Sequence, residues 1–456
     1  MKNGSITVRE FEPIKKDIAR GGIGDAYFDE LKKFVTEYDA YAEKHGGFSD
    51  SSDVFRIGFD RANGEYIKAK NYVGIIRLKS GFRVQILPKL DLSESEEASF
   101  TQTKKVFLKM LRGAGLISPK VSGTAELETA EADIYEVFIA MYVSEAERLA
   151  RQGLKSDYSV TDENAMFLKG KLLPLKQLKS NFAHKERFYI SYDVFSINRP
   201  ENRLIKAALE KLLRISASDK NRRNIKRLLC FFEAVEASRN VNKDFASLKN
   251  DRGMAAYENV LAWTRVFLGN KSFTSFEGET GALALLFPME KLFEAYVAKK
   301  IKTALAKRGY VASTQESKYR LLSEVSSFAP ERKIFSLRPD IVVRKIGGKS
   351  SETVIMDTKW KRLVTDRSKN YGISQADMYQ MYAYCKEYKK ENPLTRTVYV
   401  LYPYSREFSD VMRACPEFRN YDVVSGESKT EVEIKTFFVR LSDDNFADAL
   451  ADRLNS

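Results

Sequence analysis

The spacing of apolar residues changes along the chain and divides it into three parts. Up to about residue 95, short apolar stretches alternate with turn residues, and residues 72–78 and 82–87, separated by Ser80-Gly81, predict a hairpin. After an acidic, polar stretch at 93–97, apolar residues recur every three to four positions, which is the helical period. The helices predicted from this period are 104–111, 130–150, 201–213 and 221–237.

The third part follows a polar, glycine-containing stretch at 271–281 and mixes helices with strands. A helix is predicted over 290–306. Ser374 with Asp377 resembles a capping box that opens a second helix, which ends near residue 388. A short helix capped near Ser442 is predicted last. The predicted strands are 310–322, 341–345, 353–359, 395–401 and 432–441.

These patterns predict an α+β protein of several domains. A β-rich N-terminal domain spans 1–95, a mainly helical middle region spans 96–275, and a C-terminal α/β domain spans 276–456. No apolar stretch approaches the ~20 residues that are needed to cross a bilayer. The first residues also lack the apolar core of a signal peptide, so we expect a cytoplasmic protein without a membrane partner.

The few cysteine and histidine residues of the chain argue against several kinds of site. The three cysteines, Cys230, Cys385 and Cys415, lie far apart, and neither His45 nor His184 is near one of them. A disulfide framework, a structural zinc site and a histidine-based triad are therefore disfavoured. The net charge of +14 is compatible with a polyanionic partner and equally with a lysine-rich solvated surface.

Two aspartates and a lysine are predicted to converge on neighbouring strands of the third part. Asp340 precedes one strand, and Asp357 and Lys359 share one face of the next, because side chains alternate along a strand. With Gly347-Gly348 as the turn, Asp340 is expected opposite Lys359 and diagonal to Asp357. Two carboxylates can hold Mg²⁺, and a lysine beside them can orient or deprotonate water, which suits phosphodiester hydrolysis.

The same three residues also fit an ordinary ion-pair ladder at a sheet edge. The apolar stretches 341–343 and 354–356 favour central strands instead, where a cluster of charges is costly unless it has a function. Gln380 and Tyr384 share one helix face. There they support the lysine, contact the DNA backbone, or only pack. Glu294 borders the apolar face of the helix 290–306 and is either part of the site or a solvated flank.

Together these motifs resemble the PD-(D/E)xK nuclease superfamily. More specifically, they resemble the McrC family, the nuclease subunits of McrBC modification-dependent restriction systems. By this resemblance, the third part contains a restriction-endonuclease-like α/β core. The segments that carry the resemblance are 167–172, 192–195, 201–206, 289–296, 338–342, 355–361 and 377–384.

The resemblance assigns a role to each candidate residue. It makes Asp340 and Asp357 ligands of Mg²⁺, joined by the backbone carbonyl of Thr358, and it makes Lys359 the catalytic lysine. Glu294 matches the acidic residue that the family has on the first helix of the nuclease core. Gln380 and Tyr384 match the motif, on the next helix, that supports the catalytic residues.

The resemblance also implies partners. Members of the McrC family act with McrB, a ring-forming AAA+ motor that hydrolyses GTP, and they cut double-stranded, methylated DNA. The middle region would dock on this ring. GTP is expected to bind the partner, because Gly348-Lys349-Ser350 imitates the end of a P-loop but Val343 stands where the leading glycine is required. The basic cluster 220–227 contacts DNA, an acidic face of the motor, or only solvent.

The sequence thus predicts a Mg²⁺-dependent DNA endonuclease subunit of a GTP-driven restriction complex, which also docks on and stimulates its AAA+ partner. Two alternatives remain open. One is a docking and GTPase-activating subunit whose nuclease fold is inactive, which the complete set of Asp340, Asp357 and Lys359 disfavours. The other is a stand-alone DNA-repair nuclease, which the long non-catalytic N-terminal two-thirds disfavours.

Overall fold

The described part of the chain contains both helices and strands, mostly in separate runs along the sequence, which confirms the predicted α+β class. No helix in that part is long and apolar enough to cross a lipid bilayer. His45, Cys415 and the turn and P-loop-like residues at 347–350 lie outside it. The structure, a computed structural model, describes residues 4–44, 54–61, 64–90, 92, 96–115, 134–248, 254–268, 275–277, 283–325, 332–346, 353–404, 406, 417–424 and 427–454.

Among its described residues, the N-terminal part has six strands and one long helix. β5 and β6 pair antiparallel, which confirms the predicted hairpin. The sequence pattern led us to expect only strands and loops here, and this was wrong, because α1 buries an apolar face that includes Phe28, Leu31 and Val35. In chain order the elements are β1 (Ser5–Arg9), β2 (Pro13–Lys15), α1 (Asp25–Lys44), β3 (Phe55–Asp60), β4 (Gly64–Ala69), β5 (Tyr72–Arg77) and β6 (Arg83–Leu87).

The middle part is built mainly from helices, with one small sheet. The helices predicted at 104–111 and 201–213 are confirmed, and the one predicted at 130–150 is confirmed from residue 134. The helix predicted at 221–237 ends at Leu229, where a 3₁₀ turn begins and buries Phe232. The elements are α2 (Glu96–Ala114), α3 (Ile134–Gln152), β7 (Asp157–Ala165), β8 (Lys171–Leu172), α4 (Pro174–Asn181), β9 (Phe188–Ser196), α5 (Pro200–Ile215), α6 (Asp219–Leu229), α7 (Val241–Ala246) and α8 (Glu258–Phe267).

The last part follows the predicted order of helix, strands, helix and strand. Ser374 caps α10 by accepting a hydrogen bond from the amide of Asp377, as predicted. The stretch 310–322, expected to be a single strand, breaks after Thr314. Its last residues belong to β13 (Arg320–Glu324), which pairs antiparallel with β14 (Arg332–Ser336). The elements are β10 (Ser275–Glu277), β11 (Leu283–Pro288), α9 (Met289–Ala306), β12 (Tyr310–Thr314), β13 (Arg320–Glu324), β14 (Arg332–Ser336), β15 (Ile341–Lys345), β16 (Val354–Thr358), α10 (Gln375–Lys389), β17 (Thr397–Pro403), β18 (Glu417–Val424), β19 (Glu427–Val439) and α11 (Phe446–Arg453).

A six-stranded mixed sheet organises the last part, in the order β12-β15-β16-β17-β19-β18. The central strands β16, β17 and β19 run parallel, and the outer pairs are antiparallel. Residues on one sheet face, such as Met356, pack with α9, and residues on the other face, such as Ile355, pack with α10. β15 and β16 are therefore central strands covered on both faces, as the apolar stretches predicted.

A second sheet joins the first and last parts of the chain. Its order is β1-β6-β5-β11-β10, so β11 pairs with β5 of the N-terminal hairpin, and β10 extends the sheet by pairing with β11. β11 runs directly into α9, and this connection ties the N-terminal sheet to the mixed sheet. The domain boundaries near residues 95 and 275 stay predictions.

The register of β15 and β16 differs from the predicted one. Ile341 pairs with Met356, and continuing this register places Asp340 level with Asp357, whereas the sequence analysis placed it opposite Lys359. The length of the connecting loop sets the register, and the local pattern did not specify that length. Because the error is two positions, each side chain keeps its face of the sheet.

Gly74 on β5 offers a test of the pairing between β5 and β11, which connects the N-terminal part to the last part of the chain. Its φ is +145°, and a Cβ at this position would lie 1.9 Å from the carbonyl oxygen of Leu285 on β11. We expect Gly74→Ala to lower the free energy of unfolding by about 2–4 kcal/mol, since the β11 backbone must move. Thermal unfolding measures the effect.

Gly81→Ala is the matched control for this substitution. Gly81 also has a positive φ, +85°, but no atom lies within 4 Å of the added Cβ. This variant should lose only about 1 kcal/mol, from backbone conformation alone. Equal losses in the two variants would contradict a close approach of β11 at Gly74.

Candidate active site

Two aspartates and a lysine meet where β15 begins and β16 ends. Oδ2 of Asp340 accepts hydrogen bonds from the amide and the hydroxyl of Thr358, at 2.7 and 2.6 Å. Nζ of Lys359 lies 2.6 Å from Oδ2 of Asp357, which is buried. Asp340, Asp357 and Lys359 therefore lie together in the structure, as predicted. Asp340, however, is level with Asp357 and not with Lys359.

A chain of hydrogen bonds from α10 holds the lysine. Nζ of Lys359 donates to Oε1 of Gln380 at 3.0 Å, and Nε2 of Gln380 donates to the hydroxyl of Tyr384 at 2.7 Å. The Tyr384 hydroxyl in turn donates to the backbone carbonyl of Arg338 at 3.0 Å. Of the three possibilities left open for Gln380 and Tyr384, the geometry favours support of the lysine, because both side chains belong to this series of hydrogen bonds.

Glu294 reaches the same cluster through a residue that the sequence analysis missed. Nε2 of Gln315, at the end of β12, donates to Oε1 of Glu294 and to Oδ1 of Asp340, the latter at 3.2 Å. Gln315 has a φ of +51°, a left-handed conformation that costs a non-glycine residue about 1–2 kcal/mol. A single glutamine in a predicted strand carries no pattern that marks it, so only the fold identifies it.

The carboxylates of the cluster outnumber its lysine, and burial together with this excess of negative charge raises the pKa of several of its groups. Burial, and then the charge of Asp340, raise the pKa of Asp357 to about 7. Burial and the charge of Asp340 likewise raise the pKa of Glu294 to about 7. Burial lowers the pKa of Lys359, but the charge and hydrogen bond of Asp357, together with the charges of Asp377 and Asp340, outweigh it, and the net shift is upward. One lysine therefore faces more carboxylate charge than it can neutralise.

The carboxylate oxygens of Asp340 and Asp357 suit a hard divalent cation as ligands. Oδ2 of Asp357 is buried and accepts no well-aligned hydrogen bond, even though Nζ of Lys359 is close to it. Across the described ranges, no group of three or more His, Cys, Asp or Glu side chains has the arrangement of a metal cage. The available side-chain ligands are thus two aspartates, and Mg²⁺ commonly binds proteins through one or two carboxylates while keeping several waters.

Other charged residues near the site are paired elsewhere. Asp377, in the first turn of α10, lies 2.6 Å from Nζ of Lys361, and its amide donates to the capping residue Ser374, so it flanks the cluster.

The basic cluster on α6 is exposed for the most part. Arg227 pairs with Glu147 at 3.1 Å, and Arg222, Arg223 and Lys226 are exposed. The geometry leaves all three alternatives for that cluster open.

The fold and this site together define a class: an α+β protein with two aspartates and a lysine at the strand ends of a covered mixed sheet. The chain belongs to the family described as McrBC 5-methylcytosine restriction system component, whose model matches residues 67–403. This match confirms the resemblance to the McrC family, and the PD-(D/E)xK core stays a prediction. No curated protein matches the chain.

Solved structures share the fold. A chain of the half-complex from a tetradecameric assembly of Thermococcus gammatolerans McrB AAA+ hexamers with bound McrC is 19% identical, with a TM-score of 0.68. That match covers 98% of this chain and 100% of the other. A chain of the Thermococcus gammatolerans McrBC complex is 20% identical, with a TM-score of 0.50, over 66% of this chain and 88% of the other.

Proposed function

We propose that this protein is the Mg²⁺-dependent DNA endonuclease subunit of a GTP-driven, modification-dependent restriction complex in the cytoplasm. The observation that carries the proposal is the buried cluster of Asp340, Asp357 and Lys359, because an unbalanced set of two carboxylates and a lysine suits phosphodiester hydrolysis. In this proposal the last part of the chain is a PD-(D/E)xK core, and the substrate is double-stranded DNA that carries methylated bases.

Each residue of the cluster has a distinct role in the proposed reaction. Asp340 and Asp357 hold Mg²⁺, which when bound neutralises charge on the scissile phosphate and acidifies water. Nζ of Lys359, whose raised pKa keeps it protonated, orients the attacking water and delivers a proton. Gln380 and Tyr384 are positioning residues that fix Nζ of Lys359 through the hydrogen bonds described above.

Two further contacts belong to the proposed site. Thr358 fixes Asp340 through its amide and hydroxyl, and its backbone carbonyl is proposed as a third metal ligand. Glu294, joined to Asp340 through Gln315, either adds a more distant acidic group to the metal or holds a water that the metal keeps. Both assignments leave the Asp340 and Asp357 carboxylates as the primary ligands.

We further propose that the small sheet of the middle part, with α4, docks on an AAA+ GTPase ring. This unit, residues 157–196, presents many large apolar side chains to solvent, and soluble monomers rarely expose such a patch without a partner. The similar chain from Thermococcus belongs to an assembly of McrB AAA+ hexamers with bound McrC. The exposed apolar residues are Tyr158, Val160, Met166, Phe167, Leu168, Leu172, Leu175, Leu178, Phe182 and Phe195.

Reconstitution with the AAA+ partner, GTP, Mg²⁺ and methylated DNA tests the proposed function. Asp357→Asn keeps the shape of the side chain but removes its charge, so cleavage should fall by at least about 10³-fold. Stimulation of GTP hydrolysis should be unchanged, since the apolar unit is intact. The control is Asp452→Asn on α11, an exposed aspartate that pairs with Arg308 and should leave both activities unchanged.

Each alternative function gives a different result in the same assay. Full cleavage by Asp357→Asn would refute the site. GTPase stimulation by the wild-type chain with no cleavage of any methylated DNA would favour an inactive docking subunit. Cleavage by this chain without partner or GTP would favour a stand-alone nuclease.

A further inference from the structure

Trp360, the residue that follows Lys359, is held on two sides. Its side chain is 2% exposed, and its ring centroid lies 5.3 Å from that of Phe293 on α9. On the other side, Nε1 of Trp360 donates to the carboxylate oxygens of Glu10 at 3.0 and 3.1 Å. A buried indole N–H normally needs an acceptor, and Glu10 supplies it.

Glu10 lies in the turn after β1, at the opposite end of the sequence. Its amide donates to the carbonyl of Leu87, and its Oε1 accepts from the amide of Lys89 at 3.1 Å. The side chain is almost fully buried, and this burial raises the pKa of Glu10 to about 7. A buried carboxyl is costly unless it is hydrogen-bonded. The carboxylate oxygens of Glu10 therefore accept hydrogen bonds from the amide of Lys89, just after β6, and from Nε1 of Trp360.

The backbone around Lys359 lies outside regular secondary structure, because residues 359–364 belong to no helix or strand. The amide of Lys359 donates to the carbonyl of Leu401 at 2.9 Å, and the other backbone hydrogen bonds of the segment are local or short-range, from Lys361 to Lys359 and from Val364 to Tyr371. Nζ of Lys359 must stay within hydrogen-bond distance of two groups, on β16 and α10. A flexible four-carbon side chain keeps such a position only if its backbone is fixed. The side chain of Trp360 provides an anchor one residue away.

We propose that Glu10 is a positioning residue of the nuclease site. By holding the indole of Trp360, Glu10 fixes the backbone that carries Lys359, and the N-terminal sheet becomes part of the catalytic machinery. The consequence for cleavage rests on the proposed function, because it requires Lys359 to be the catalytic lysine. The contact between Glu10 and Trp360 does not depend on that assignment.

Fluorescence tests the contact directly. Trp263 and Trp360 are the two tryptophans of the chain, so Trp263→Phe leaves Trp360 as the sole reporter. In that background, Glu10→Ala should shift the emission to longer wavelength and increase acrylamide quenching, because water reaches the indole. Glu10→Gln keeps a carbonyl oxygen for Nε1 and should retain the original spectrum. Identical spectra for the alanine variant and its parent would overturn the proposal.

Cleavage by the reconstituted complex tests the consequence. Glu10→Ala and Trp360→Phe should each lower kcat about 10- to 100-fold with KM for DNA unchanged, because misplacing a catalytic group by ~1 Å can cost that much. Glu10→Gln should restore most of kcat. Retained GTPase stimulation reports that each variant is folded and docked. A contact that only joins two domains would lower thermal stability and leave kcat unchanged, which would overturn the proposal.

Lys359→Met, assayed in parallel, distinguishes a failure of the positioning role of Glu10 from a failure of the proposed function. If Lys359→Met is inactive while Glu10→Ala and Trp360→Phe cut at the wild-type rate, the positioning role is refuted and the proposed function stands. If Lys359→Met itself cuts at the wild-type rate, the proposed function fails, and the role of Glu10 in cleavage fails with it. Loss of kcat in all three variants, with rescue by Glu10→Gln, supports both.

Discussion

Replacing Lys359 by methionine is expected to reduce DNA cleavage about 10²–10⁴-fold in the reconstituted complex. Methionine has nearly the same length as lysine, so packing around β16 is largely kept while the ammonium group is lost. Without it, Oδ2 of Asp357 loses its counter-ion and Oε1 of Gln380 loses its donor. Single-turnover cleavage at saturating DNA and Mg²⁺ measures the chemical step, and a filter-binding assay checks that DNA affinity is unchanged.

Lys361→Met is the matched control. Lys361 lies two residues further along the same segment and pairs with Asp377 at 2.6 Å, outside the cluster of Asp340 and Asp357. Removing it takes away one positive charge near the DNA, so salt-dependent binding should weaken slightly while the saturated cleavage rate stays the same. If the two methionine variants lose the same fraction of the cleavage rate, the lysine contributes only charge, and its role in delivering a proton is wrong.

The residues of the cluster were predictable from the sequence because strand alternation and helix spacing are local rules. Asp357 and Lys359 are two positions apart on one strand, and Gln380 and Tyr384 are four apart on one helix, so their shared faces follow from geometry. The partner of Asp340 was not predictable in the same way. It depends on the length of a loop, and the expected pairing with Lys359 was wrong by two positions.

Contacts between distant parts of the chain could not be predicted at all. Gln315 joins Glu294 to Asp340, and Glu10 contacts Trp360 across 350 positions of sequence. No periodicity or spacing marks these residues, because each contact exists only after two separately folded elements have packed. The N-terminal part, whose role the sequence left open, acquires a proposed role only through such a contact.

The missed helix α1 has a different cause. Its buried residues Phe28, Leu31 and Val35 follow the helical period, so the signal was present in the sequence. The surrounding strands dominated the interpretation of residues 1–95. The small sheet of the middle part was missed because its strands expose apolar side chains, and the alternation of buried apolar and exposed polar residues that marks a half-buried strand is weak there.

Phe182→Asp is expected to weaken binding to the AAA+ ring by at least about 30-fold, the equivalent of ~2 kcal/mol for loss of an aromatic anchor at an interface. Phe182 directly follows α4 and is 83% exposed, so a charged side chain there should not disturb folding. Stimulation of GTP hydrolysis should require correspondingly more protein. Titration of the labelled ring by interferometry gives the dissociation constant, and the GTPase rate gives an independent measure.

Phe59→Asp on β3 provides the comparison that makes this result specific. Phe59 is 78% exposed, the substitution is the same, and the residue lies in the N-terminal part, outside the apolar unit. It should leave ring binding unchanged. Equal weakening by both substitutions would mean that general surface apolarity drives the association, and the assignment of docking to residues 157–196 would then be wrong. A selective loss of ring binding at Phe182, with GTP-dependent cleavage recovered when the protein concentration is raised, would separate docking from catalysis within one chain.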